Sequence, residues 1–269
     1  MKRRIAVLLA AAMLLTASLT GCGEKVTAES LMEEAQEKFE NVKSYRGSMD
    51  MDMVMTMKEE SLGMNMELGL VMDAEYSGTT DPEIVHMKGT LGMDLMGLSM
   101  DLESYSAVEG DKLISYTNTA GTWTKTEEPY SEEGMQDMTL SLMEGMDMTL
   151  AEETEMLGDR EVYVLTYTVS GDTMQEVMDS MDMMQELMDS MEGFDLSQLT
   201  MDVTMKIYKD SRLPAASVVS MSTTGEGMSL DGVTVGFEKV ELIMSYDEYD
   251  TIDSITIPEE ALEAELLEL

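Results

Sequence analysis

Residues 49 to 57, MDMDMVMTM, switch character at every step. Met49, Met51, Met53, Met55 and Met57 fall on one side of an extended chain, and Asp50, Asp52, Val54 and Thr56 on the other. A helix would spread these residues around its whole circumference, so the spacing predicts a strand with one methionine-rich face. The same period returns in MNMELGLVMDAEY, where Met64, Met66, Leu68, Leu70 and Met72 share a side, and in MGLSMDLESY, where Met96, Leu98, Met100 and Leu102 do. KLISYTNT and TWTKTE, parted at Ala120-Gly121, read as a hairpin that carries Trp123. Further strands are predicted at 161–169, 201–209, 215–223, 233–246 and 251–257. Clean alternation with one polar face is the habit of antiparallel sheets.

Two stretches follow a helical period instead. Ser30, with Glu33 three residues on, has capping-box spacing and opens LMEEAQEKFENV, in which Leu31, Ala35, Phe39 and Val42 recur every three or four residues. Residues 171–193 contain MQEVMDSMDM followed by MQELMDSMEG. There Met174, Met181 and Met188 lie seven apart, and so do Val177, Met184 and Met191, which predicts an amphipathic helix lying on another surface. DMTL occurs at 137–140 and at 147–150, in acidic segments read as loop or short helix. The ending PEEALEAELLEL reads as a short helix or frayed tail.

The N-terminus changes the picture from a sheet protein to an exported one. Lys2, Arg3 and Arg4 precede an apolar run from Ile5 to Leu15, too short for the roughly 20 residues that span a bilayer. The run leads to Leu19-Thr20-Gly21-Cys22, which resembles the bacterial lipobox. That resemblance implies cleavage after Gly21, a diacylglyceryl group on the Cys22 thiol and an extracytoplasmic domain anchored in the bilayer. Cys22 is the chain's only cysteine, so no disulfide within the chain is expected. Removing 21 of 269 residues, with three basic side chains among them, leaves 248 residues and takes the formal charge from −39 to −42. Such a field repels phosphate backbones and excludes nucleic acid as a partner. The expected organisation is a signal peptide at 1–21, a lipidated tether at 22–30, one β-rich domain at 31–257, and a tail or short helix at 258–269. A monomer is expected.

Thirty-three methionines raise the question of soft-metal chemistry, since thioethers select Cu(I). The one imidazole is His86, beside Met87 and next to a strand, so these two are the candidate ligands for a copper reading. Against it, methionine occurs wherever an alternating or heptad pattern asks for an apolar residue, which suits adaptable packing better than a ligand cluster. No Gly-x-Ser-x-Gly elbow, phosphate loop, dinucleotide fingerprint or calcium-loop spacing is present. No catalytic residue and no cofactor is expected, and the protein is read as not an enzyme.

The expected fold is α+β: a curved antiparallel sheet, or half-barrel, with an N-terminal helix and the methionine-rich helix of 171–193 covering one face. The element order carries a resemblance: the helix ending in NVKSY, the extended methionine strands, the GTWTK turn, EVYVLTYTV and the ending TIDSITIPEEAL. It resembles the LolA, LolB and LppX-type half-barrel lipoproteins and, more closely, a Gram-positive lipoprotein subgroup of the same layout. The resemblance implies a space between sheet and helix for an acyl chain or another hydrophobic ligand. Candidate lining or core residues are Met51, Met53 and Met55, then Met66, Leu68 and Leu70, then Met181, Met184 and Met188 from the helix. The functions left open are a hydrophobic-ligand carrier, an envelope interaction lipoprotein without ligand, and a Cu(I) binder.

Overall fold

The alternating methionines form the central strand of a sheet. The computed structural model describes residues 26–59, 64–93, 97–130, 147–171, 173, 199–223, 228–230 and 233–267. Strand β1 (Ser44–Glu59) pairs along its whole length with β2 (Met64–Thr80), from which β3 (Glu83–Met93), β4 (Leu98–Glu109), β5 (Lys112–Thr119) and β6 (Thr122–Pro129) meander to one edge. The chain resumes at the other edge with β7 (Thr149–Leu150), β8 (Glu155–Leu157) and β9 (Arg160–Ser170). It returns through β10 (Leu199–Tyr208), β11 (Pro214–Thr223), β12 (Met228–Leu230) and β13 (Val233–Ser245), and β13 closes onto β1. A last short strand, β14 (Glu248–Tyr249), pairs with the start of β1. All these pairings are antiparallel, and the sheet of 14 strands is curved and open, with β6 and β7 at its ends.

The predicted hairpin is present between β5 and β6. Ala120 and Gly121 both have positive φ, 53° and 87°, as a two-residue turn matching strand twist requires, and Asn118 Oδ1 accepts the Gly121 N–H at 2.8 Å. On β6, Glu127 sits between Lys112 Nζ at 2.7 Å and Lys125 Nζ at 2.8 Å, and these two ammonium groups hold its carboxyl down to about 2. A depressed carboxyl contributes stability that is fully present above its unfolded value and is lost as pH falls through the folded one. Acid titration of unfolding should therefore show a shallower loss between about pH 4.5 and 2 for Glu127→Gln than for the parent chain.

Helix α1 (Ala28–Phe39) starts earlier than its sequence suggested. Its cap is Thr27, whose hydroxyl accepts the Ser30 N–H at 3.2 Å while Ser30 Oγ accepts the Thr27 N–H at 3.0 Å, so Ser30, not Glu33, completes the box. This corrects the tether, whose residues 28–30 are helical, and moves the domain's start ahead of residue 31. Leu31 and Ala35 are buried against Leu165 and Ile207 of β9 and β10, and Val26, Met148 and Leu150 pack around them. DMTL at 147–150 ends in strand β7, not a helix.

The other correction lies at the C-terminus. Residues 251–257 form no strand. Ile255, Ile257 and the fully buried Ala261 pack on Tyr105, Ile114 and Tyr116. Ala261 belongs to α2 (Glu259–Leu262), so the tail is docked and not frayed. Beyond it, Lys125 N–H donates to Glu265 O at 3.2 Å and Leu267 N–H to Lys125 O at 2.8 Å, which covers part of edge strand β6 with the chain's own end. Residues 174–193 of the predicted helix, Gly21 and Cys22 lie outside the described residues.

Candidate functional site

Residues directly opposed in an antiparallel pair share a face, so the strand register fixes which side chains gather together. Met51 lies opposite Met72 and Leu242, Met53 opposite Leu70 and Val240, and Met55 opposite Leu68 and Phe237. Outward on one side, Leu70 faces Met93, Met72 faces Leu91, and Leu91 faces Met100. On the other, Leu242 faces Val219, Val219 faces Val203, and Val203 faces Tyr167. The result is one apolar face that runs unbroken across eight strands, β4 to β9 through β1.

A bulge keeps it unbroken. Along β13 the apolar phase slips from odd (Val235, Phe237) to even (Val240, Leu242, Met244), and the β1–β13 register shifts at the same place: Val54 pairs with Lys239 and Met55 with Phe237. Glu238 is the extra residue. In an unshifted register Met55 would lie opposite the Glu238 carboxylate, so the bulge is the device that holds the methionine face apolar.

The face is graded along the strands. At the end beside α1, Ala74 and Tyr76 are 2% and 7% exposed, whereas at the opposite end Met66 and Leu98 are 38% and 47% exposed. Met51, Met53, Met55, Leu68 and Leu70, between them, are half-buried. Five of the sequence-predicted positions are thus brought together, Met66 forms the exposed rim, and Met181, Met184 and Met188 lie outside the described residues.

An aromatic cluster closes the buried end. Phe39 of α1 stands with its ring centroid 5.5 Å from Tyr45, 6.1 Å from Tyr246 and 6.3 Å from Tyr249, and Tyr76 meets Tyr246 at 5.8 Å. Tyr76 Oη donates to Ser245 O at 2.7 Å and Tyr249 Oη to Pro214 O at 2.6 Å. Burial, then the neighbouring Tyr246, pushes both phenols above their ordinary range, so they stay neutral donors. Glycines make the room: a Cβ on Gly78 would overlap the Tyr45 ring, and one on Gly47 would overlap Ser245 O. Sequence reasoning passed over this cluster. The signal was there, since Tyr45 and Tyr76 continue the methionine phase of their own strands.

His86 and Met87 correct the copper reading. Neighbours on a strand point to opposite faces, and here Met87 faces Tyr76 on the methionine side while His86 faces Tyr105 on the other. The imidazole stacks on Tyr105 at 4.3 Å, and its Nε2 lies 2.9 Å from Glu103 Oε1, so the sheet itself separates it from the thioethers. Glu103 also takes Lys88 at 3.6 Å and the Tyr105 hydroxyl at 3.3 Å, making a small polar cluster outside the candidate site. Among the described residues, no three His, Cys, Asp or Glu side chains gather as a metal site.

The chain is similar in structure to the lipoprotein LppX of Mycobacterium tuberculosis, at 12% identity and a TM-score of 0.43, covering 86% of this chain and 100% of that one. It is similar to LprF of Mycobacterium bovis at 10% identity and 0.42, covering 87% and 97%. A DUF1329 family protein of Desulfovibrio piger matches at 11% identity and 0.26, covering 84% and 94%. No curated protein matches the chain. Residues 27–265 match the model of a family of unknown function, DUF6612, and the chain belongs to that family.

Proposed function

We propose that this protein is a membrane-anchored extracytoplasmic lipoprotein that holds a lipid or another hydrophobic molecule against its methionine face and catalyses no reaction. One observation carries the ligand half of this reading: the face is apolar across eight strands, yet its central residues are only half-buried. A filled core would bury them as Leu165 and Ile207 are buried under α1. Methionine suits such a surface, because an unbranched thioether repacks around different shapes with little strain. The anchoring half rests on the basic head, the apolar run and Leu19-Thr20-Gly21-Cys22. No helix among the described residues is long and apolar enough to cross a membrane.

Both halves are open to direct test. Cells expressing the full chain and fed labelled palmitate should label it and retain it in the membrane fraction, and Cys22→Ala should lose the label and the retention. Protein expressed from Gly23, which keeps every described residue, should carry lipid through purification at close to one molecule per chain by extraction and mass spectrometry. Lipid-free protein from lipid-replete cells, with a crosslinked envelope partner in its place, counts against the carrier and for an interaction lipoprotein.

A further inference from the structure

The charges around the methionine face say what kind of molecule it accepts. Every Lys and Arg after Lys25 lies within the described residues, so their positions can be followed completely. In β1, β3 and β13, Arg46, Lys58, Lys88 and Lys239 alternate out of phase with the methionines and stand on the opposite face. Lys112, Lys125, Arg160 and Lys206 fall on that opposite face as well. Lys38, Lys43 and Lys209 are exposed on α1 and turns. Arg212 alone borders the methionine side, and it is out of a ligand's reach: its Nε lies 3.0 Å from Glu34 of α1, its guanidinium sits 4.7 Å over the Tyr163 ring, and its Nη1, which has no hydrogen-bond partner, is fully buried.

Among the described residues, the face therefore offers an anion no accessible ammonium or guanidinium group. Thioethers are weak acceptors and donate no hydrogen bond, and the Tyr76 and Tyr249 hydroxyls at the buried end already donate to backbone carbonyls. The chain around it carries a formal charge of −39. A carboxylate or phosphate brought onto this surface would lose hydration without gaining an ionic partner, inside a repulsive field.

Resting on the ligand-holding reading above, we infer that the methionine face selects an uncharged apolar molecule, such as a neutral lipid, and discriminates against anionic amphiphiles. The exposure gradient orients it: hydrocarbon lies toward the aromatic cluster, and any polar group lies toward the Met66–Leu98 end.

Two fluorescent probes built on one ring system isolate the charge. N-phenyl-1-naphthylamine is uncharged, and 1-anilinonaphthalene-8-sulfonate adds a sulfonate. With the chain from Gly23, the neutral probe should bind at least about tenfold more tightly than the sulfonate at low ionic strength. Added salt should narrow the gap by screening the field. Met66→Lys, and separately Leu98→Lys, should each recover most of that factor, read as the ratio of the two probes' dissociation constants on the same variant. Val71→Lys is the control, being 45% exposed on the opposite face of the same strand as Met66, and should recover little of it. Equal binding of both probes by the unaltered chain overturns the selectivity while keeping the ligand-holding reading. Equal recovery by Val71→Lys overturns the location and orientation. Binding of neither probe tells against the ligand-holding reading itself.

Discussion

Gly47→Ala should destabilise the protein by about 3 kcal/mol, the upper end of what overpacking usually costs, and lower Tm by on the order of 5–10 °C. The added Cβ would overlap the carbonyl oxygen of Ser245 and stand 2.8 Å from the Tyr76 hydroxyl. Both atoms are held, because Tyr76 Oη donates to that same carbonyl, so there is no flexible side chain to move aside. The backbone of β13 must shift from β1, and the aromatic cluster that pins α1 through Phe39 shifts with it. Gly92→Ala is the matched control. Its Cβ would meet only Val71 O, at 3.7 Å, and thermal unfolding should move by no more than about 0.5 kcal/mol.

Met53→Glu should cost about 2–4 kcal/mol and abolish binding of an uncharged probe, while Val54→Glu, one residue along, should do neither. Met53 lies between Leu70 and Val240, so a carboxylate there is placed on apolar surface with no donor opposite. It must protonate, drag in water or push the strands apart. Val54 lies opposite Lys239 on the other face, where that ammonium already holds Asp52 at 2.6 Å and Glu241 at 3.6 Å in reach of solvent, and a further carboxylate is readily accommodated. Chemical denaturation of the two variants side by side measures the difference, and it is a difference of face alone.

How much of this was legible in the sequence depended on whether the apolar marks survived. Strands β1, β2 and β4 announced themselves because methionine and leucine occupy nearly every second position. Strand β3 did not, because Gly89 interrupts its apolar phase between Met87 and Leu91. Gly89 is there since a Cβ would overlap Asp73 O and crowd Ala74 on β2. The segment 251–257 failed the other way: its isoleucines look like a strand, but they bury against Tyr105 and Ile114 without backbone pairing. Alternation reports which side chains are covered, not whether a neighbour strand or a side-chain cluster covers them.

The site was legible in one dimension and not in the second. Sequence placed Met51, Met53 and Met55 on a common side of their strand, and the register was needed to set Leu70, Val240 and Val219 beside them. The phase slip between Phe237 and Val240 is present in the sequence, where 233–246 read as one plain strand, and it resolves as a bulge only once β1 is known to be the partner. His86 stood next to Met87 in the sequence, yet the same alternation that grouped the methionines puts the imidazole on the far side of the sheet.

Brief oxidation by hydrogen peroxide, read residue by residue by mass spectrometry, most directly tests whether methionine serves here as the sheltered hydrophobe of a sheet. Met156, 61% exposed on β8, should convert to the sulfoxide first. Met51, Met53 and Met55 should convert several-fold more slowly, and more slowly still with the uncharged probe bound. Oxidation of these three at the rate of Met156, unchanged by the probe, would contradict the account.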